Sequence, residues 1–124
     1  MAELVEPLDF ALRNTRVLVR RVAVACYRHE PIPASYAELL DELADCADAV
    51  ADELAAGRQA AVVRERLVAL GRATSRVERT SDLSAEVILA QIRSLLADLL
   101  AVSGMDPLAA TDQIPLLGDP DQLG

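Results

Sequence analysis

Four stretches of this chain repeat apolar residues at steps of three and four, the spacing of one face of a helix. In the first, about Pro7 to Tyr27, the seam is Leu8, Ala11, Thr15, Leu18, Val22 and Ala25. Pro7 suits a first helical position, where its missing N–H would have no helical acceptor anyway. Pro31 and Pro33 end the segment. The second stretch carries Leu39, Leu43, Val50 and Leu54, opens on Ser35-Tyr36-Ala37-Glu38, a capping-box pattern, and stops at Gly57. The third, about Gln59 to Arg79, carries Val63, Leu67, Leu70, Thr74 and Val77. Gly71 lies within it, either as a weak point of about 1 kcal/mol relative to Ala or as a close helix–helix contact. The cluster Thr80-Ser81-Asp82-Leu83-Ser84 breaks the chain before a fourth segment that runs to Gly104.

The fourth stretch, AEVILAQIRSLLADLLAVSG, is twenty residues of mainly Leu, Ile, Val and Ala, long enough to raise the question of a membrane span. Arg93 and Asp98 fall in its middle, and near a bilayer centre each would cost roughly 2.5–3.5 kcal/mol. In a bundle both can occupy an outer stripe while Ile88, Ile92, Leu95, Leu99 and Val102 face inward. Val87, Leu89, Leu96 and Leu100 widen that inward face. The stretch therefore predicts the most buried helix of a soluble domain. From Met105 the periodicity fails, and MDPLAATDQIPLLGDPDQLG contains three prolines, two glycines and four aspartates. The expected division is a four-helix domain over 1–104 and a Pro/Asp-rich tail over 105–124, flexible or docked. Its features are a short turn at Pro107–Thr111 and an Ile114-Pro115-Leu116-Leu117 patch that could fit a groove.

At 124 residues the chain is a single domain able to bury a core without staples. Its aromatic residues are Phe10, Tyr27 and Tyr36, so the core must be built of Leu, Val, Ile and Ala, which favours closely packed helices. The predicted fold class is all-α, an antiparallel four-helix bundle with an irregular C-terminal tail. Glu3, Glu6 and Asp9 occupy the region that a secretory signal would make basic.

A net charge of −8 argues against nucleic acid or an anionic membrane surface as the main partner. All twelve basic residues are Arg, the residue best suited to bidentate ion pairs. The charges segregate by helix. The first carries Arg13, Arg16, Arg20, Arg21 and Arg28 against Asp9. The second carries Glu38, Asp41, Glu42, Asp45, Asp48, Asp52 and Glu53 and no base. The third carries Arg58, Arg64, Arg66, Arg72, Arg76 and Arg79 against Glu65 and Glu78. Short connectors predict that the acidic helix lies between two basic neighbours. Surface pairs contribute ~0–1 kcal/mol each, so the pattern selects topology and register. An Arg face left unpaired would be open to an anionic ligand, a lipid headgroup or a partner chain.

Candidate chemistry is sparse. Cys26 and Cys46 read as reduced thiols rather than a disulfide framework. Cys26, His29 and Cys46 do not make a zinc site, because in a helical hairpin the two cysteines fall roughly 10 Å apart along the axis. His29, at a helix end, suits the C-terminal dipole and has no nucleophile or orienting group beside it. Phosphate-binding glycine loops and calcium-loop spacing are absent. Chorismate-mutase-like bundles bind a dicarboxylate with inward Arg and Lys, but here Lys is missing and the Arg residues lie mainly on outer faces. No catalytic, cofactor-binding or metal-ligating residues are expected, and the chain is read as a non-enzyme.

The phrases LRNTRVLVRR (Leu12–Arg21), AELLDELADCADAVADELAAGR (Ala37–Arg58) and LSAEVILAQIRSLLADLL (Leu83–Leu100), in this order, resemble a known family. They are similar to the C-terminal cytosolic helical region of actinobacterial FUSC-like membrane proteins, the fusaric-acid-resistance or aromatic-acid-exporter type. The similarity covers about Leu8 to Gly104. It implies a non-enzymatic helical module serving assembly or regulation on the cytoplasmic side of the cell membrane. The implied partner is the transmembrane portion of the parent or a neighbouring membrane protein, with homo-oligomerisation as a further expectation. No transport residue is carried over, since none of the phrases is a substrate motif. The alternative is a free-standing cytoplasmic helical scaffold, or an anionic-ligand-binding bundle, that self-associates.

Overall fold

The computed structural model describes residues 2–58 and 61–117. It is all-helical, with α1 (Ala2–Tyr27), α2 (Ala34–Ala55), α3 (Ala61–Thr74), α4 (Leu83–Val102) and the short α5 (Pro107–Asp112), and no strand among the described residues. The four long helices pack in a bundle-like arrangement around α4. Ile88, Leu89, Ile92, Leu96 and Leu100 of α4 are fully buried, and Leu95, Leu99 and Val102 join them in the core; of the residues expected to face inward, Val87 alone is only half-buried and lies outside the core. Among the described residues no helix is long and apolar enough to cross a membrane.

The arrangement differs from the expected one in one respect that governs everything at the surface. Among the helices, α1 approaches α4 alone; α2 packs on α3 and α4 and makes no backbone approach to α1. The acidic helix therefore has one basic neighbour, not two. The reason is visible in the residues that face α4. On α1 the buried positions are Ala11, Leu18 and Ala25, whose small members let the helix lie close on α4. Of the rest of the predicted seam, Val22 is half-buried and packs against the core, while Leu8 and Thr15 are exposed. Asn14 of α1 donates to the Asp98 carboxylate near the far end of α4, while Pro7 and Phe10 lie by Ala101, so the two helices run antiparallel.

Helix boundaries shift where local chemistry competes with periodicity. The first helix starts at Ala2 and contains Pro7; Pro7 removes a single donor from a turn of good helix formers and does not end it. Its C-terminus is closed by His29 at φ +55°, with Glu30 N–H donating to the Ala25 carbonyl (2.9 Å) and His29 N–H to that of Cys26 (3.2 Å). This is a Schellman closure with histidine in the left-handed position usually held by glycine.

The Ser35–Glu38 capping box does not form. The residue before the helix is Pro33, with no side-chain cap, and the Ser35 hydroxyl is buried without a partner. Pro33 holds an extended entry geometry at φ −56°, ψ 141°, and the helix begins immediately after it, so Ser35 is already inside the first turn. Tyr36 fixes this placement. It is fully buried, and its hydroxyl donates to the Glu78 carbonyl at 2.9 Å.

Helix α3 ends at Thr74 rather than Arg79, because Thr74 and Ser75 hydroxyls donate to the Gly71 and Arg72 carbonyls (2.6 and 2.7 Å), replacing helical ladder bonds. Asp82 then caps α4 by accepting from Ala85 N–H at 3.2 Å. Across the intervening turn Arg79 grips Glu86 with two hydrogen bonds of 3.1 and 3.0 Å.

Of the two states expected for the tail, its described part is docked. Asp106 caps α5 by accepting from the N–H groups of Leu108 and Ala109, with Pro107 at the first helical position. Ala110 is buried in the core, and Ile114 and Leu117 pack against it. The close approach anticipated at Gly71 is real but is made by the tail: a Cβ there would fall 2.9 Å from Ile114 Cδ1.

Because Leu96 is fully enclosed, Leu96→Ala is expected to lower unfolding stability by about 2–5 kcal/mol. Val62→Ala, at a site 75% exposed, should change it by less than about 0.5 kcal/mol. Urea titration followed by helical circular dichroism measures both; equal losses would contradict the placement of the core.

Candidate functional surfaces

Two surfaces remain once the core is assigned. The first is a groove of about 760 Å³ between α1, α4 and the docked tail, lined by Asn14, Arg93, Ser94, Asp98, Ile114 and Pro115 among others. Both charges that argued against a membrane span meet here, and each has found a neutral partner. Arg93 donates to the Thr74 hydroxyl at 2.8 Å and to the Pro115 carbonyl. Asp98 accepts from the Asn14 amide. Arg93 forms no ion pair with any described residue, and burial followed by the nearby Arg79 charge pushes its pKa down. Burial pushes the Asp98 pKa up, and the Asn14 hydrogen bond opposes that rise. The expected outer stripe is thus half-buried, covered by a tail whose docking residues gave no periodic signal. Chemically, a half-buried guanidinium held by neutral acceptors beside Ile114, Pro115 and alanines can receive an anion with an apolar body.

The second surface is the open side of α1. Arg16, Val17, Arg20, Arg21 and Val24 line one shallow depression there. Arg16, Arg20 and Arg21 make no ion pair with any described residue, whereas Arg13 pairs locally with Asp9 at 3.1 Å. On α2, Glu38, Asp41, Asp45, Asp48 and Asp52 are exposed and likewise unpaired among the described residues. Among the described residues a single ion pair joins the acidic helix to a basic one, Arg66 to Glu42 at 3.0 Å, and Glu53 pairs with Arg58 just beyond the helix end. Mutual neutralisation is accordingly partial.

Cys46 is buried, its thiol 3.7 Å from a Glu42 carboxylate oxygen and its pKa pushed up by burial, with Glu42 adding to the rise against the opposing Arg66 charge. Cys26 is exposed on α1. Among the described residues no group of three or more His, Cys, Asp or Glu is arranged to hold a metal ion.

No family model matches the chain, and no solved structure does. An uncharacterized protein of Corynebacterium glutamicum is 33% identical over 106 residues, which cover 80% of this chain and 27% of that protein. The chain thus spans about a quarter of the length of the curated relative it matches.

The raised Asp98 pKa carries a definite sign. The folded state binds this proton more tightly than the unfolded chain does, so ionisation costs stability once the pH climbs above the ordinary carboxylate value of about 3.9. Asp98→Asn keeps a polar partner for Asn14 and removes the charge. It is expected to raise stability at neutral pH by less than about 1 kcal/mol, given partial exposure, with the advantage closing below about pH 4. Thermal melts across that range test it; an advantage that grew in acid would refute the assignment.

Proposed function

We propose that this chain is a non-enzymatic helical module that assembles with, or regulates, a FUSC-like membrane transporter from the cytoplasmic side of the membrane. The observation that carries the reading is α1: a 26-residue helix with α4 as its helical neighbour and an otherwise open surface of Val, Leu, Phe and Arg. Exposed apolar surface on such a scale is characteristic of interaction faces. One comparison and the sequence resemblance support it. The similar protein from Corynebacterium is several times longer than the matched segment, in keeping with one part of a larger assembly. The resemblance to FUSC-like proteins motivates the choice of family, and on this reading the transmembrane portion of a parent or neighbouring protein carries the membrane spans.

A photo-crosslinking residue placed at Phe10 in the cell of origin tests the reading. The expected result is recovery of the chain with the membrane fraction and a covalent adduct to a membrane protein. A chain found wholly in the soluble fraction with no such adduct would overturn it.

A second reading is favoured by Arg93 alone: a free-standing bundle that binds an anionic ligand in the groove between α4 and the tail. Millimolar benzoate should then raise the melting temperature of the wild-type chain, and Arg93→Met should abolish the rise. No rise in the wild type would eliminate this reading.

A further inference from the structure

Beside the face that α1 turns to α4 runs a second seam with the same spacing. Val5, Leu8, Leu12, Val19 and Cys26 fall at multiples of three- and four-residue steps, and the four aliphatic members are 66%, 45%, 51% and 63% exposed. A helix with two adjacent heptad-like seams is built for two neighbours, and here it has one. Phe10, which lies by Pro107 of α5, is on the opposite flank, so the seam faces the side of the bundle left open between α1 and α2.

Helix α2 carries a matching second seam, Ala37, Leu40, Ala44, Ala51 and Leu54, whose alanines are exposed and whose leucines are half-buried or more open. It lies on the flank away from Glu42, which reaches α3. The two helices are organised alike around the helix axis: core face, then open seam, then a charged border. On α1 the border includes Arg16 and Arg20; on α2 it includes Asp41 and Asp48, with Glu38, Asp45 and Asp52 behind.

In an antiparallel pair of helices such borders meet each other, and the core-side flanks meet on the other edge. Large side chains of one seam would then lie over the alanines of the other, with Arg opposite Asp. The two helices of one chain do not make this contact. Pairing α1 with a second α1 would set Arg against Arg, and pairing α2 with α2 would set Asp against Asp. A two-fold arrangement of two chains satisfies both seams at once, since each copy offers one of each.

We propose that the chain forms a symmetric homodimer in which the open seam of α1 lies antiparallel on α2 of a second copy, with Arg16 and Arg20 facing the partner's acidic border. The inference rests on the reading of the chain as an assembly module and names one of its partners. Sedimentation velocity of the purified full chain tests it apart from membrane recovery, so a monomer that still travels with the membrane would sink the dimer alone.

The expected result is a dimer whose dissociation constant rises roughly tenfold or more on raising salt or introducing Leu12→Glu, with helical content and melting behaviour of the monomeric bundle retained. Arg16→Asp with Arg20→Asp should also dissociate it, and adding Asp41→Arg with Asp48→Arg in the same chain should restore it. A wild-type monomer at high micromolar concentration would overturn the proposal. So would a dimer indifferent to Leu12→Glu, or one that the reciprocal charge exchange fails to restore.

Discussion

The structure depends on burying α4. Its five fully enclosed aliphatic side chains, Ile88, Leu89, Ile92, Leu96 and Leu100, each contribute about 1.5–3 kcal/mol relative to exposure in water. They are spread too widely around the helix for one neighbour to cover. Three helices and the docked tail are therefore recruited around one rod, and the positions of the others follow from which part of its circumference each can seal. The side chains that α4 cannot hide in apolar contact, Arg93 and Asp98, fall at the junction of α1, α4 and the tail, where Thr74, Pro115 and Asn14 satisfy them without a formal counter-charge.

This ordering explains what periodicity revealed and what it concealed. The inward residues of α4 were legible because a buried helix repeats its apolar positions without interruption. Leu39, Leu43 and Val50, and Val63, Leu67 and Leu70, were legible from the same kind of repeat and all are core residues, whereas Leu54, at the end of the α2 repeat, is exposed. The α1 seam was only half legible. Leu8, Ala11 and Thr15 satisfy one helical spacing, but Val5, Leu8 and Leu12 satisfy another, and periodicity cannot say which has a partner. The end of α3 and the start of α2 were misplaced because single contacts decide them: Thr74 bonding back to Gly71, and Pro33 handing the chain directly into a helix anchored by Tyr36.

The groove was less legible still. Arg93 and Asp98 stood out as charges in an apolar stretch, yet their cover comes from a segment with no repeating pattern. Docking there is specified by shape: Gly71 removes the side chain that would collide with Ile114, and the tail backbone at Pro115 accepts from Arg93. Two signals were available: Gly71 pointed to a close approach, read as one of two helices rather than of the tail, and the Ile114-Pro115-Leu116-Leu117 patch pointed to a groove without identifying it.

Charge segregation is the feature that local energetics explains least and topology explains best. Within the chain, Arg66–Glu42 bridges the acidic helix to a basic one, and a surface pair contributes little to stability. If intramolecular neutralisation were the purpose, α1 and α2 would be packed together; instead the small face of Ala11 and Ala25 draws α1 onto α4, and the Arg border is left facing outward. The same choice that seals α4 thus opens a seam on α1 and leaves five acids on α2 without partners among the described residues. Opposite charges kept apart within one molecule, beside apolar seams of complementary size, discriminate between partners by sign. That discrimination acts on encounter and register more than on affinity, and the apolar seam beside the charged border would have to supply the binding itself.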